Sequence, residues 1–409
     1  MQSDPQQKCA PALSGGARQR GARRHASPLR VVLLSKAMVV GAYQRKAELL
    51  ARTGGMELTV AVPPLWRDGA LVQRLERVHQ SGYRLVETPI LCPGHFHLHA
   101  YPRFGRVLTE AAPHVVHVDE EPYNLAAFLA LAQARRRGAR TLFFTWQNLR
   151  RRYPPPFCWF ERYAHRTAAG AIAGSDTAAR VLRAKGYRGP LWTVPQFGVD
   201  PDAYRPAPDA ARDPPFTVGY AGRLVTAKGV DLLLCALAGL SGDWRLRVVG
   251  RGADAEAILA LARRLDVARR LDLSDWMASA AMPAFYRSLD ALVLPSRSTP
   301  RWVEQFGRVL IEAMACGVPC VGSDSGEIPW VLGDAGLLFP EGDVGALRHC
   351  LARLAGDGAL RARLGAAGRE RVLARYTMAR VASDTAAVYH ALAPGGTDGA
   401  RLPGAGTAI

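Results

Sequence analysis

The chain has 409 residues, 49% of them hydrophobic, and carries a formal net charge of +18 at pH 7. This length favours two domains, because single hydrophobic cores rarely grow beyond about 250–300 residues. No stretch approaches the roughly 18 uninterrupted apolar residues of a membrane span, and we expect no secretory signal because the first residues lack an apolar run. Seven scattered cysteines without a CxxC pair disfavour a disulfide framework or a thiolate zinc site, so a reducing cytoplasm is expected.

The first half of the chain predicts a parallel sheet covered by helices. Residues 1–28 are rich in glycine, arginine and proline, and are expected to form a disordered basic tail. Apolar runs then predict strands at 29–35, 58–64, 115–121, 141–146 and 171–175, and helical patterns occur at 44–52, 123–136, 157–169 and 176–185. Continuous apolar strands separated by helices are typical of a sheet buried on both faces. Residues 29–195 are therefore predicted to form one Rossmann-like domain.

The second half repeats this alternation after a proline-rich linker at residues 196–215. Strands are predicted at 216–222, 244–250, 271–275, 291–296, 319–325 and 335–340, so residues 216–378 are expected to form a second Rossmann-like domain. The helix at 379–393 either caps this domain or crosses back to the first, and residues 394–409 are expected to be disordered. The fold class is thus α/β, with two doubly wound domains facing across a cleft. Ligands of such sheets bind beyond the carboxyl ends of the strands.

A pair of cations follows the first strand of the second domain. In GYAGRLVTAKGV, Arg223 and Lys228 lie between that strand and the next helix, flanked by Gly222 and Gly229. Two cations beside a helix amino end make an anion site. Solvated loop charges are the alternative, but the position after a strand end favours a ligand.

The second motif, VVGRGADA, has Gly250, Gly252 and Ala255 in a G-x-G-x-x-A pattern after a strand. This pattern is the main argument for a nicotinamide-dependent oxidoreductase, with Asp275 near the place of a ribose-binding acid. The pattern is weak alone, because any tight strand-to-helix turn needs small residues. The same glycines would also let a different nucleotide approach the backbone.

The third motif, EQFGRVLIEAMACG, places two carboxylates around a helix start. Glu304 precedes the helix, and Glu312 lies about one and a half turns inside it. Amides near Phe306 and Gly307 favour a negative group. A buried carboxylate needs a partner, from the protein or from a ligand. A sugar diphosphate would satisfy both acids, with Glu312 bonded to its ribose.

Together these motifs resemble the GT-B glycosyltransferases of the large retaining family 4. The resemblance covers residues 30–390 and is carried by GRLVTAKGVDLLLCAL, VVGRG, LVLPS and the E-x7-E pair in GRVLIEAMACGVPCVGSDSGEIP. It implies that Arg223 and Lys228 hold the donor diphosphate, that Glu304 contacts the transferred sugar, and that Glu312 contacts the ribose. Arg223, Lys228 and Glu304 are therefore the candidate catalytic residues. The candidate donor-binding residues are Gly41, Gly222, Gly250, Gly252, Glu304, Phe306, Gly307, Arg308 and Glu312.

The acceptor side is predicted from three segments of the first domain. HVDEEPYN follows a strand, so Asp119, Glu120 and Glu121 are expected at the cleft mouth, with acceptor binding or helix capping by Asn124 as the favoured roles. In HFHLH, His95, His97 and His99 would share one strand face, where three histidines can hold zinc. Pro93 and Gly94 indicate a loop instead, so acceptor or cleft lining is preferred. The candidate acceptor-binding residues are His95, His97, Asp119, Glu120, Trp146 and Asn148.

Two further features separate this chain from the family pattern. TWQN at 145–148 has no histidine where many relatives carry one, which disfavours a histidine base. Many relatives also have a Gly-Gly pair where this chain has only Gly41. The D-x-D at Asp200–Asp202 lies in the linker and is interpreted as turn chemistry. No metal site and no cofactor are predicted.

The predicted function is a retaining, metal-independent glycosyltransferase that moves a sugar from a nucleotide-diphosphate donor to a hydroxyl acceptor in glycolipid or polysaccharide synthesis. The acceptor is expected to be a sugar, a lipid-linked compound or a small molecule. Basic runs at 135–137 and 150–152 near aromatic residues suggest peripheral contact with an anionic membrane. No nucleic-acid partner is expected. The alternatives are an NAD-dependent oxidoreductase, a non-catalytic nucleotide-sugar or polyanion-binding protein and, ranked low, a phosphorylase.

Overall fold

The computed structural model describes residues 27–69, 71–207, 215–275 and 277–394. The predicted disordered tails at 1–28 and 394–409 lie outside the described residues, except for residues 27, 28 and 394. Within the described ranges, no helix is long and apolar enough to cross a membrane.

The first domain contains a seven-stranded parallel sheet and a separate two-stranded antiparallel hairpin. Its strands are β1 (Leu29–Leu34), β2 (Met56–Val62), β3 (Leu65–Asp68), β4 (Leu71–Arg74), β5 (Arg84–Glu87), β6 (Val115–Val118), β7 (Arg140–Thr145), β8 (Gly170–Ala173) and β9 (Leu191–Thr193). The sheet order is β5-β2-β1-β6-β7-β8-β9, while β3 and β4 pair as a separate antiparallel hairpin. The helices are α1 (Arg45–Arg52), α2 (Phe104–Ala111), α3 (Leu125–Arg136), α4 (Phe157–Thr167) and α5 (Asp176–Ala184).

The second domain carries a six-stranded parallel sheet in the order β12-β11-β10-β13-β14-β15. Its strands are β10 (Phe216–Ala221), β11 (Trp244–Val249), β12 (Leu271–Ser274), β13 (Ala291–Leu294), β14 (Cys320–Ser323) and β15 (Gly336–Phe339). The helices of this half of the chain are α6 (Val230–Ala238), α7 (Ala255–Arg264), α8 (Met282–Arg287), α9 (Arg308–Ala315), α10 (Ile328–Leu332), α11 (Val344–Gly356), α12 (Gly358–Arg375) and α13 (Met378–Ala391), the last of which packs on the first domain. The predicted pair of doubly wound domains is confirmed.

Alternation along the central strand divides the first domain into two hydrophobic cores. Val31 and Leu33 of β1 point into one core, and Val32 and Leu34 point into the other. Successive side chains of a strand face opposite sides, so an uninterrupted apolar strand must be covered twice. This requirement fixes β1 in the middle of the sheet, where its carboxyl end opens onto the cleft.

The chain crosses between the domains twice, and the two crossings are bonded to each other. The Val199 amide donates to the Tyr376 carbonyl at 2.9 Å, and the Met378 amide donates to the Val199 carbonyl at 2.8 Å. Beyond this point α13 packs on the first domain, where Tyr389 lies in its core. The Tyr389 hydroxyl also lies 2.8 Å from His117 Nδ1 at the end of β6.

Candidate active site

Loops from the carboxyl ends of the two sheets touch across the cleft. Asn148, just after β7, donates from Nδ2 to the Glu304 carbonyl at 3.0 Å. Gln305 donates in the opposite direction, from Nε2 to the Trp146 carbonyl at 3.2 Å. The rings of Trp146 and Phe306 lie 5.6 Å apart. The predicted acceptor residues Trp146 and Asn148 therefore lie against the segment that carries Glu304.

The second-domain side of the cleft contains a buried ion pair. Lys228 ends a short 3₁₀ turn after β10, and its Nζ lies 2.6 Å from Glu304 Oε2. The same oxygen accepts a bond from Ser296 Oγ at 2.8 Å, and Lys228 lies over the Trp302 ring. Glu304 is only 6% exposed, so its charge would be costly without these donors. The structure thus joins two predicted site residues that are 76 positions apart.

Arg223, unlike Lys228, has no ion-pair partner among the described residues. Its side chain is exposed, and within the described ranges it forms no hydrogen bond or ion pair. Its main-chain carbonyl accepts a bond from the Tyr220 hydroxyl at 2.8 Å, which holds the loop against the end of β10. The guanidinium is therefore available to an anion without breaking a protein contact.

The buried charge of Glu312 is satisfied by the protein itself. The Tyr286 hydroxyl donates to Oε2 at 2.6 Å, and Arg308 Nε lies 3.0 Å from Oε1. Burial and the adjoining carboxylate raise the pKa of Tyr286 well above its usual value, so its hydroxyl stays a donor. Of the two alternatives left open by the sequence, a protein partner or a ligand, the structure shows protein partners for both Glu312 oxygens. Direct ribose contact at Glu312 stays a prediction.

The start of α9 has uncapped backbone amides. Gly307 occupies the N-cap position with φ of +79°, and no side chain caps the first amides. Such amides carry a partial positive charge that favours an anion. Arg308 extends over the ring of Tyr43, which itself stacks on Phe197 at 4.0 Å. Arg308, a predicted donor contact, therefore bridges the two domains in this structure.

The glycines after β10 and β11 allow two loops to touch. A Cβ atom at Gly250 would lie 1.8 Å from the Gly222 carbonyl oxygen, and one at Gly252 would lie 2.0 Å from the Leu224 oxygen. A dinucleotide fingerprint follows the first strand of a Rossmann sheet. Here the G-x-G-x-x-A motif follows the second strand, and its glycines accommodate protein backbone. The geometry does not favour the oxidoreductase interpretation.

Gly41 packs against the segment that carries Glu76 and Val78. Its amide donates to Glu76 Oε2 at 2.7 Å, and a Cβ atom there would lie 2.4 Å from Val78. The small residue is thus explained by packing, while its role at the donor phosphates stays a prediction.

Two of the three predicted acceptor carboxylates turn inward, contrary to their expected place at the cleft mouth. Asp119 accepts bonds from Ser35 Oγ at 2.5 Å and from Gln196 Nε2 at 2.9 Å, and burial raises its pKa. Glu120 forms an ion pair with Lys36 and accepts a bond from Tyr101 at 2.9 Å. Burial alone would raise the pKa of Glu120, but Lys36 and the nearby His99 lower it to about 2.

Glu121 is the carboxylate that lines the cleft. Its two oxygens accept bonds of 2.7 Å from the Thr145 hydroxyl and the Trp146 amide. Burial raises the pKa of Glu121 to about 7 despite these bonds. The cavity beside it, hereafter the cleft pocket, is lined from both domains by Glu121, Tyr123, Gln147, Asn148, Leu149, Arg151, Tyr153, Trp302, Val303 and Gln305. The sequence places Glu121 in this loop but gives no means of separating it from Asp119 and Glu120.

The histidines of HFHLH occupy a loop and not a strand. The His99 amide donates to the His95 carbonyl at 3.0 Å, and His99 is fully buried. His97 packs against Phe157 and Tyr123, while His95 lines an adjoining open pocket. In the part of the chain that the structure describes, no three His, Cys, Asp or Glu side chains converge as metal ligands.

Gln147 lies just beyond the end of β7. It donates from Nε2 to the Tyr153 hydroxyl at 2.7 Å and accepts from Lys185 Nζ at 3.0 Å. In the linker, the Asp202 amide donates to Asp200 Oδ1 at 3.0 Å. The turn interpretation of D-x-D is therefore confirmed. Asn124 likewise caps α3 by accepting the Ala127 amide at 2.7 Å.

Two family profiles match the two domains separately. The profile described as "Glycosyl transferases group 1" matches residues 205–371, and "Glycosyl transferase 4-like domain" matches residues 40–198. The chain is also 30% identical over 340 residues to the GDP-mannose-dependent alpha-(1-6)-phosphatidylinositol monomannoside mannosyltransferase of Mycolicibacterium smegmatis, covering 76% of this chain and 85% of that protein. It is 35% identical over 217 residues to the D-inositol 3-phosphate glycosyltransferase of Segniliparus rotundus, covering 49% of this chain and 46% of that protein.

Solved structures of the same architecture align along most of the chain. Sucrose-phosphate synthase from Thermosynechococcus elongatus matches with a TM-score of 0.69 and 20% identity, covering 89% of this chain and 99% of that one. HepE of Anabaena in complex with UDP matches with a TM-score of 0.68 and 16% identity, covering 88% and 99%. At these identities the likeness establishes the fold alone.

Proposed function

Because the chain belongs to the group 1 glycosyl transferases and has the GT-B fold, we propose that it moves a sugar from a nucleotide-diphosphate donor to a hydroxyl group of an acceptor. The single observation that carries this proposal is the buried Lys228–Glu304 pair at the carboxyl ends of β10 and β13. Across the cleft, this pair is met by the first-domain loop that carries Asn148.

The donor is proposed to bind with its diphosphate at Arg223, Lys228 and the uncapped amides at the start of α9. Arg223 is free to accept an anion, and Lys228 is neutralised by Glu304 until a ligand competes for it. Glu304 would then turn to hydroxyls of the transferred sugar, and Glu312 would contact the ribose. The relative from M. smegmatis is named as GDP-mannose-dependent, so we favour GDP-mannose over a UDP-sugar.

The reaction is proposed to proceed with retention and without a metal ion. The bond from the anomeric carbon to the diphosphate oxygen breaks, and the acceptor oxygen bonds to the same face of that carbon. The acceptor proton passes to the departing phosphate oxygen. Negative charge develops on this phosphate, so cations placed in advance lower the barrier.

The acceptor and the setting are proposed from the names of the relatives. One relative acts on a phosphatidylinositol mannoside and another on D-inositol 3-phosphate, so glycolipid synthesis is preferred with a small polyol phosphate as the other choice. We place the enzyme in the cytoplasm, with peripheral contact at an anionic membrane face. A phosphorylase and a non-catalytic nucleotide-sugar binder remain alternatives within the same fold.

A panel of nucleotide sugars tests this function. Purified protein is incubated with GDP-mannose, UDP-glucose and UDP-N-acetylglucosamine, with and without EDTA, and release of free nucleotide is measured. We expect release from one donor, unchanged by EDTA and accelerated by an acceptor extract. Binding without release from any donor would favour the non-catalytic alternative, and loss of release with EDTA would contradict metal independence.

A further inference from the structure

An apolar pocket opens to solvent immediately beside the cleft pocket. We call this cavity the open pocket. Its walls come from the loop 95–98 and from the residues at the start of α4, and they include Phe96, His97, Leu98, Tyr153, Pro154 and Phe157. Phe96 is 38% exposed and Leu98 is 51% exposed. Contiguous exposed apolar surface at a groove is typical of a ligand-binding or interaction site.

The open pocket and the cleft pocket share one wall. Tyr153 lines both, and its ring stacks on Tyr123 of the cleft pocket at 4.1 Å. At its far side the cleft pocket is closed by Trp302 and Val303, which directly precede Glu304. The two pockets therefore adjoin at Tyr153, and the cleft pocket is the one that also borders the donor loop.

The two pockets differ in chemistry. The cleft pocket presents Glu121, Gln147 and Asn148, which are groups that bind hydroxyls. The open pocket has no acidic, lysine or arginine side chain among its described lining residues. Burial, and then the charge of Arg151, lower the pKa of His97, so this imidazole is neutral at pH 7. The pocket beside the donor loop is thus polar, and the pocket that adjoins it is apolar.

We infer that the acceptor is an amphiphile, whose hydroxylated head lies in the cleft pocket and whose attached apolar chain lies in the open pocket against Phe96 and Leu98. This inference rests on the proposed function, because the cleft pocket is an acceptor site only if the donor sugar lies beside Glu304. It selects an acceptor with an apolar chain over a free polyol or sugar phosphate.

The test compares octyl α-mannoside with methyl α-mannoside, which share a head and differ in chain length. Binding to the full chain in the presence of GDP is measured by calorimetry, with the octyl compound below its micelle concentration. Each buried methylene contributes roughly a fourfold gain, so we expect the octyl compound to bind at least about tenfold more tightly. Equal affinities, or no binding of the octyl compound, would overturn the inference.

Substitutions in the open pocket test where the apolar chain of the acceptor binds. Phe96→Ser and Leu98→Ser should each reduce the octyl-to-methyl affinity ratio several-fold and leave GDP affinity unchanged. Leu338→Ser, which removes a leucine that is 42% exposed in β15, should keep the ratio and serves as the matched control. An unchanged ratio in the first two variants would overturn the inference.

Two further measurements on these variants identify other occupants. Loss of co-sedimentation with phosphatidylglycerol vesicles at an unchanged ratio would assign the surface to a membrane. Loss of a dimer at an unchanged ratio would assign it to a second copy. Either result overturns the inference. Failure of GDP to bind the wild-type chain would instead defeat the proposed function, whatever the ratio.

Discussion

Most of the buried carboxylates at the cleft of this protein have partners supplied by the chain. Glu304 pairs with Lys228, Glu312 with Arg308 and Tyr286, and Glu120 with Lys36. The sequence predicted that Glu312 needs a partner, because it interrupts an apolar helix. It could not predict Tyr286, which lies 26 positions away on α8 and meets Glu312 only through tertiary packing.

Removal of the Tyr286 hydroxyl measures this partnership. Tyr286→Phe should lower the free energy of unfolding by about 1.5–3 kcal/mol, since the lost bond is made to a charged group. Tyr220→Phe is the matched control, because that hydroxyl is also in the second domain but bonds a neutral carbonyl, and about 0.5–1.5 kcal/mol is expected. Denaturant titration checks both values, and equal losses would show that the Glu312 bond carries no charge-assisted strength.

Lys46, a buried lysine on α1, should make the free energy of unfolding depend on pH. Burial lowers the pKa of Lys46 to about 8, despite the opposing charge of Asp119. Between about pH 8 and the unfolded value of 10.5, the unfolded chain binds more protons at this site than the folded chain, so Lys46 makes stability rise with pH there. The difference between the folded and unfolded pKa values of Lys46 corresponds to a change on the order of 3 kcal/mol in unfolding free energy across this range.

Lys46→Met should remove this contribution. Denaturant titrations of both proteins between pH 7.5 and 10.5 give the test, and the quantity compared is the wild-type-minus-variant difference in unfolding free energy. We expect that difference to become more positive as pH rises. A difference that is flat across the range would mean that Lys46 titrates normally in the folded protein.

At the scale of elements, the central strands of the first domain and the strands of the second domain were predictable, whereas the edge strands of the first domain were not. β1, β6 and β13 are buried on both faces, which produces short runs composed mainly of valine and leucine. β5 and β9 lie at the two edges of the first sheet and have few buried side chains. Helix α2 and the β3–β4 hairpin were missed for a similar reason, because each element is short.

The contact between the two glycine loops is testable at this scale. Gly252→Ala places a methyl group 2.0 Å from the Leu224 carbonyl oxygen, so the backbone must shift, and we expect a loss of about 1–3 kcal/mol in unfolding free energy. Gly356→Ala is the control, because no atom lies within 4 Å of its added Cβ in α11. A neutral Gly252→Ala would show that the two loops separate easily enough to accommodate the added methyl group.

At the scale of the whole molecule, the arrangement of domains followed from the sequence and their contacts did not. Two alternating series and a linker predicted two Rossmann-like domains facing across a cleft. The bond from Asn148 to the Glu304 carbonyl joins residues 156 positions apart, and no periodicity could indicate it. The helix α13 was expected at 379–393, with its packing left open, and the structure places it on the first domain.

One carboxylate bridges the domains beside the segment that carries Glu304, because the Glu327 amide donates to the Glu304 carbonyl at 3.2 Å. Glu327, just before α10, accepts bonds from the first amides of α5: Asp176 at 3.1 Å and Thr177 at 3.2 Å. It also accepts the Thr177 hydroxyl at 2.7 Å. A carboxylate at a helix amino end is stabilising, so this contact favours the closed arrangement.

Glu327→Ala should therefore shift the molecule towards an open cleft. We expect a larger radius of gyration by small-angle scattering, reversed by saturating nucleotide. Glu341→Ala removes bonds to Ser298 within the second domain only, and should leave the radius unchanged. An unchanged radius in Glu327→Ala would mean that the other cleft contacts suffice for closure.

The central claim is that the second-domain cations hold the donor diphosphate, and Arg223→Ala tests it most directly. This side chain is exposed and makes no hydrogen bond or ion pair in the described part of the chain, so the melting temperature should not change. Arg363→Ala, an exposed cation on α12, is the control. We expect sugar transfer from the active donor to fall about 10²–10³-fold in Arg223→Ala and to stay normal in Arg363→Ala. Near-normal transfer by Arg223→Ala would contradict the account.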